Sequence, residues 1–327
     1  MILVTGASGF IGGHLVKALI REGLPVRALV RTDKILPFPR EKAEIFFGDI
    51  TDAQSLIGAM RNVDTVFHLA SVINFETESI ALYQNINITG TENIFKAAAA
   101  AQVRLKRFVF CSSVGVFGPL AAIPANEETG CHPVNFYEKS KCETETTVHR
   151  LGKEMDIPVS IIRPSWVYGP GDRRTLKLFR AINRHRFLMI GRGATRVHPV
   201  YVTDLVQGIM QSAFKKGLTA HEIFIIAGRR SVSLRRLVVT LAAALNRKVP
   251  RIHVPVSLAK IMASLFEKAY APLKKIPPIS HRRLEFFVKS QAFDISRAMK
   301  RLGYTPVVDL DEGVLKTVKW YRDHDWL

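Results

Sequence analysis

Tyr137 and Lys141 stand four residues apart in Phe136-Tyr-Glu-Lys-Ser-Lys141, within a stretch of helical spacing. Side chains at i and i+4 share one face of a helix. A free phenol titrates at about 10 and is a poor base at neutral pH. An ammonium close by favours the phenolate and is expected to lower that value. Ser113 comes 24 residues before Tyr137, at the end of the apolar run Arg107-Phe-Val-Phe-Cys-Ser-Ser113. Its hydroxyl could orient a reacting oxygen. Such a trio suits hydride exchange at a carbinol carbon, with Tyr137 handling the proton and a nicotinamide the hydride. The spacing alone means little. Tyr270 and Lys274 repeat it, but Pro272 lies between them and no serine-ended strand precedes them, so that pair is expected to be structural.

The elements that must position this trio can be read from apolar periodicity. Met1-Ile-Leu-Val-Thr5 is a strand, and the helical spacing of His14 to Ile20 follows it closely. Between them lies Gly6-Ala-Ser8-Gly9-Phe10-Ile11-Gly12. Gly6 permits a tight turn, Gly9 lets a pyrophosphate approach the backbone, and Gly12 lets helix and strand pack. The N–H groups near Phe10 and Ile11 then form an anion site. Further strands are expected at 24–30, 43–47, 63–69, 107–111 and 158–162. Helices are expected at 52–60, with Thr51 or Asp52 near the N-cap, and at 80–101 and 136–151. Alternating strands and helices predict an α/β fold, a Rossmann-type doubly wound parallel sheet. After Arg163-Pro164 the pattern loosens, with a helix from Ser233 to Leu241, Ser233 as its N-cap. A smaller C-terminal substrate lobe is expected over 173–196 and 229–327. The dinucleotide-binding domain would be 1–172, with 197–228 returning to it.

Composition excludes several classes. The chain has 327 residues and 47% hydrophobic content, ordinary for a globular protein. With a strand from residue 2, no room for a signal peptide is expected. No apolar run approaches the roughly 20 residues of a membrane span, so a cytoplasmic protein is expected. Cys111, Cys131 and Cys142 show no C-x-x-C spacing, which fits a reducing compartment, and the histidines form no metal-binding pattern.

Charge is lopsided. Residues 1–172 carry 17 Lys and Arg against 18 Asp and Glu, whereas 173–327 carry 30 against 10. Such asymmetry points to an anionic partner or to a solvated face. Residues 247–292 are basic and hold Pro250, Pro255, Pro272, Pro277 and Pro278. Within them Leu258, Ile261, Met262, Leu265, Phe266 and Ala269 recur at helical spacing, flanked by Lys260, Lys268, Lys274 and Lys275. A basic amphipathic helix can lie on an anionic membrane surface, which would make the protein peripheral. The expectation favoured here is that it packs on its own lobe or caps a lipophilic cleft. No nucleic-acid recognition motif is present, so no specific nucleic-acid partner is expected.

These features together resemble the extended short-chain dehydrogenases/reductases, the NAD-dependent epimerase/dehydratase family. The resemblance runs nearly end to end. Thr5-Gly-Ala-Ser-Gly-Phe-Ile-Gly12 resembles the family's cofactor turn, and Gly48-Asp49-Ile50 its adenine-contacting segment. His68-Leu69-Ala70-Ser71 resembles the strand end beside the cofactor, and Asn87-Ile-Thr-Gly-Thr its N-x-x-G-T helix. Arg163-Pro164-Ser-Trp-Val167-Tyr-Gly-Pro-Gly-Asp172 resembles the stretch near the nicotinamide, and Val200-Tyr-Val-Thr-Asp204 and Asp294 to Pro306 match later motifs. The resemblance puts Ser113, Tyr137 and Lys141 on the catalytic positions, with Lys141 also holding the nicotinamide ribose. It implies NAD or NADP and a small-molecule substrate; a homodimer stays open beside a monomer.

Departures refine this. NAD-preferring members carry Asp at the end of the second strand, where this chain has Val30 and then Arg31. A guanidinium would bind a 2′-phosphate, so Arg31-Thr-Asp33-Lys34 leans towards NADP, although Asp33 could serve a ribose. Phe117 replaces the tyrosine of V-Y-G, a packing change. Nucleotide-sugar members carry an Arg on the diphosphate where this chain has Val197, with Arg196 one residue away. The form His198-Pro-Val-Tyr-Val202 resembles the branches of 3β-hydroxysteroid dehydrogenases and flavonoid reductases at least as well. The expected function is therefore an oxidoreductase. The rivals are an epimerase or dehydratase of nucleotide sugars, with retained cofactor, and a scaffold that binds cofactor without turnover.

Overall fold

The computed structural model describes residues 1–32, 36–73, 79–249, 253–271 and 277–327. Asp33, Lys34, Pro250, Pro272, Lys274 and Lys275 lie outside these residues. The apolar runs of the first half form six strands: β1 (Ile2–Thr5), β2 (Val26–Val30), β3 (Glu44–Phe47), β4 (Thr65–His68), β5 (Arg107–Cys111) and β6 (Val159–Pro164). Between them run α1 (Phe10–Arg21), α2 (Ala53–Ile57), α3 (Ile80–Tyr83), α4 (Gly90–Ala100) and α5 (Phe136–Glu154). The next segment holds β7 (Trp166–Tyr168), α6 (Arg173–Asn183), β8 (Met189–Ile190), β9 (Arg196–Val197), β10 (Pro199–Tyr201), α7 (Val202–Phe214) and β11 (Glu222–Ile226). The last holds β12 (Val232–Ser233), α8 (Leu234–Ala244), β13 (His253–Val254), α9 (Val256–Tyr270), α10 (His281–Val288) and α11 (Leu310–Asp323).

Seven strands form one sheet in the order β11-β6-β5-β4-β1-β2-β3. Every pairing within it is parallel. The strands therefore need cover on both faces, and they have it. Ile2 and Val4 enter one core with Leu15, Leu19, Leu205 and Ile209, from α1 and α7. Leu3 enters the other with Leu56, Phe95 and Val148, from α2, α4 and α5. Strand order reverses beside β1, which leaves a crevice at the carboxyl ends of β1 and β4. A third core joins α6, α8 and α11 through Phe179, Leu237, Val314 and Tyr321. α9 and α10 share a small cluster of Ala259, Ala263 and Leu284.

Three expectations need correction. The helix expected over 80–101 is broken, because a π-helical turn, Gln84–Thr89, separates α3 from α4. The strand expected over 158–162 runs to Pro164, because β11 pairs along its full length and ends with Ile226 opposite Pro164. The apolar positions of α9 do not form one packed face. Ala259 and Ala263 are buried, whereas Leu258, Ile261 and Leu265 face outward. Small residues let α9 approach α10 closely, and the larger side chains fall on the other side.

Candidate active site

The glycine turn lies under the end of β4. Gly6 has a φ of 69°, a conformation strained for other residues. A Cβ there would come within 2.7 Å of the Ala70 nitrogen and 2.8 Å of the Leu69 carbonyl carbon. A Cβ on Gly12 would come within 2.1 Å of the Gly6 oxygen. Gly9 is the N-cap of α1 and supplies no side-chain partner to the first-turn N–H groups. Ser8 and Gly9 are exposed, and Phe10 and Ile11 are half-buried. A close-approach turn, a glycine N-cap and orphan donors together fit a dinucleotide pyrophosphate.

The lip of this crevice is held by contacts between motif residues that the sequence does not reveal. His68 is buried, with Nδ1 2.7 Å from Thr5 Oγ1 and Nε2 2.9 Å from Thr91 Oγ1. Thr91 Oγ1 donates to the Asn87 carbonyl, and Thr5 Oγ1 accepts from the Ala70 N–H. Thr91, whose own proton goes to Asn87, takes its bond from Nε2–H, and Thr5 can donate to Nδ1, so the network suits a neutral imidazole. Burial, with a smaller contribution from Lys141, brings the His68 pKa down to about 3. His68 thus clips β1, the 69–71 lip and α4 together.

Asn87, expected at the cofactor, is engaged by the protein. Its Oδ1 accepts from Val72 N at 2.9 Å and Ser71 Oγ at 3.0 Å, and its Nδ2 donates to Ser140 Oγ at 2.9 Å. The π-turn presents its carbonyl to two hydroxyls, those of Thr91 and Thr144. Asn87 therefore ties the lip to α5, the helix that carries Tyr137 and Lys141.

On that helix Asn135 is the N-cap, accepting from Glu138 N at 3.0 Å. Tyr137 is 8% exposed, with the Ser113 hydroxyl near enough to act on its phenol. Ser113 follows β5, and its Oγ also accepts from Gly115 N at 3.0 Å. Lys141 is 3% exposed and donates from Nζ to the Cys111 carbonyl at 2.8 Å. The structure thus brings the three residues together. It corrects the electrostatics expected of them. Burial is the largest influence on Tyr137 and raises its phenol, and the nearby Ser113 hydroxyl only partly offsets this. Burial also brings Lys141 down to about 8. Taking both groups out of water favours the neutral form of each.

Beneath them lies a buried ion pair that the sequence reading also missed. Arg163, at the end of β6, donates to Glu145 of α5 from Nε at 3.0 Å and Nη2 at 2.6 Å. Ser112 Oγ donates to the same carboxylate at 2.5 Å. The guanidinium carbon lies 4.8 Å from the Phe117 ring centroid, a cation–π contact. Pro164 and Val167, both buried, follow directly.

The remaining candidates lie farther out. Arg31 is exposed, just past the end of β2. Asp49 Oδ1 accepts from the Thr51 N–H and hydroxyl, each at 2.9 Å. Ile50 is buried against Gly90, and its carbonyl accepts from Asn93 Nδ2 at 2.9 Å. Arg196, one residue from the missing arginine, is exposed and engaged by the protein. Its Nη2 donates to the Ser231 carbonyl and hydroxyl at 2.5 and 2.7 Å, while Val197 is buried in the β9–β12 pair. Among the described residues no group of three or more His, Cys, Asp or Glu could hold a metal.

A dinucleotide cradle at the switch point and a Ser-Tyr-Lys cluster beside it define an extended short-chain dehydrogenase/reductase. The chain belongs to the NAD dependent epimerase/dehydratase family, whose model matches residues 2–227. It is 27% identical over 326 residues to the N-acetyl-alpha-D-glucosaminyl-diphospho-ditrans,octacis-undecaprenol 4-epimerase of Escherichia coli, covering 99% of this chain and 96% of that one. It is 26% identical to the 3 beta-hydroxysteroid dehydrogenase/Delta 5-->4-isomerase of Mycobacterium tuberculosis, covering 98% of this chain and 90% of that one. Among solved structures, MoeE5 in complex with UDP-glucose and NAD is similar at a TM-score of 0.78 and 25% identity, over 99% of each chain. The chain is an enzyme of this type, from an NAD-binding family.

Proposed function

We propose that the chain is an NAD(P)-dependent oxidoreductase that exchanges a hydride at a carbinol or carbonyl carbon of a small molecule. The observation that carries this reading is the meeting of Ser113 and Tyr137 beside a buried Lys141. Gly6, Ser8, Gly9, Phe10, Ile11 and Gly12 would hold the pyrophosphate. Asp49 and Ile50 would lie by the adenine, and Leu69, Ala70 and Ser71 along the cofactor, with Asn87 setting their position. Pro164 and Val167 would lie by the nicotinamide. Residues 173–196 and 229–327 would shape the substrate site. Bound in the cradle, a nicotinamide dinucleotide supplies or accepts the hydride. The chain supplies the proton. With its phenol raised by burial, Tyr137 holds a proton at neutral pH and can give it to a carbonyl oxygen. Ser113 donates a hydrogen bond to that oxygen. Lys141 would hold the ribose and, when charged, would stabilise the phenolate that proton transfer leaves.

Nucleotide-sugar epimerisation is the second reading, favoured by the likeness to the Escherichia coli epimerase along nearly the whole chain. The engagement of Arg196 by Ser231 weighs against it. The two differ in cofactor economy. An oxidoreductase purified under native conditions is expected to exchange its dinucleotide freely and to oxidise one added NADPH for each product formed. A dinucleotide that resists exchange, with turnover consuming none, would overturn the proposal in favour of the epimerase.

Arg31 is proposed to select NADP. A charged contact to the 2′-phosphate contributes about 1.5–3 kcal/mol, roughly ten- to a hundredfold in affinity. Wild type is expected to bind NADPH more tightly than NADH by that factor, and Arg31→Ala to lose the preference. Equal titration curves for the two dinucleotides with wild type would refute it.

A further inference from the structure

We propose that the outward face of α9 docks on the surface of an anionic lipid bilayer. Leu258, Ile261 and Leu265 follow one another at i, i+3 and i+7, and are 47%, 58% and 63% exposed. Single exposed apolar side chains need no explanation, but three in one stripe on one helix do. The same helix already has a packed side, Ala259 and Ala263 against Leu284 of α10, so the stripe is not left over from an unpacked lobe.

Charge identifies the occupant. Residues 247–289 contain ten Lys and Arg against two acidic residues, and three of the ten lie outside the described residues. Lys260 and Lys268 are exposed on α9 itself. Both acidic groups are engaged locally. Glu267 accepts from His281 N at 2.8 Å, and Glu285 pairs with Lys289 at 2.7 Å. The helix therefore presents an apolar stripe together with the exposed ammonium groups of Lys260 and Lys268, in a segment of net positive charge. A second copy of the chain would bring like charge against like. A nucleic acid would meet the charge but has no use for a leucine stripe. An anionic bilayer satisfies both, taking the apolar side chains at the headgroup–acyl boundary and the ammonium groups among the phosphates. No helix among the described residues is long and apolar enough to cross a membrane, so the association is with a surface.

Each basic side chain near such a surface multiplies binding by about fivefold, and salt weakens that gain. The test is cosedimentation of the full chain with vesicles of phosphatidylcholine alone, or of equal parts phosphatidylcholine and phosphatidylglycerol. The mixed vesicles are expected to bind at least about tenfold more protein, and to release it between about 0.1 M and about 1 M salt. Ile261→Asp/Leu265→Asp should weaken binding at least about tenfold and Lys260→Glu/Lys268→Glu at least about 25-fold, each with the melting temperature unchanged. The lysine pair is exposed and keeps the test valid if the first variant misfolds. Absence of binding, equal binding to both vesicles, or binding that ignores high salt would overturn the proposal. So would concentration-dependent dimerisation abolished by Ile261→Asp/Leu265→Asp, which would give the face to a second copy.

Discussion

Tyr137→Phe is expected to lower turnover by about 10²–10⁴-fold while cofactor affinity changes little. Removing the hydroxyl deletes the proton path and keeps the ring, which fills the same space beside Tyr83 and Ser113. Because the substitution removes an interaction made at the reacting oxygen, kcat and kcat/KM should fall together. A variant retaining more than about a tenth of the wild-type rate would exclude Tyr137 as the acid. Dinucleotide titration of the same preparation separates this outcome from a damaged cradle.

Glu145→Ala should be the most destabilising single change in the catalytic layer. It leaves Arg163 charged and buried, without its carboxylate, and deprives Ser112 of its acceptor. Arg163 Nη1 is already buried without a partner among the described residues. Breaking a buried pair from one side costs about 3–5 kcal/mol, a large share of a typical stability of about 5–15 kcal/mol. Replacing both members with apolar residues, Glu145→Leu/Arg163→Met, should restore much of it. Urea unfolding of the three proteins checks this. A single variant within about 1 kcal/mol of wild type would mean that the pair does not fasten α5 to the sheet.

The reactive cluster was legible because each of its parts is a local motif. Gly6 to Gly12, Ser113, and Tyr137 with Lys141 each carry their own spacing, and parallel strands bring their ends to one edge. The supports were not legible, because they are long-range pairings of ordinary residues. His68 meets Thr5 and Thr91, and Glu145 meets Arg163, across gaps that no periodicity encodes. The break in the helix over 80–101 had no proline to signal it; its Asn87 carbonyl serves two hydroxyls instead of only the helix. The sidedness of α9 was hidden for another reason. Its alanines and its leucines are both apolar, so the pattern offered two faces, and only packing against Leu284 decides between them. The lowering of Tyr137 expected from Lys141 failed because adjacency in a helix says nothing of burial, which outweighs it.

The seventh strand bears on how the chain is made. β11 completes the sheet beside β6, yet the whole of 165–221 is synthesised between them. A ribosome therefore releases β6 as an open edge, with its amides and carbonyls unpaired on one side, well before its partner emerges. Such an edge invites pairing with another nascent chain. Until β11 arrives, the growing protein is at its most adhesive, and this is the interval in which a chaperone would matter most.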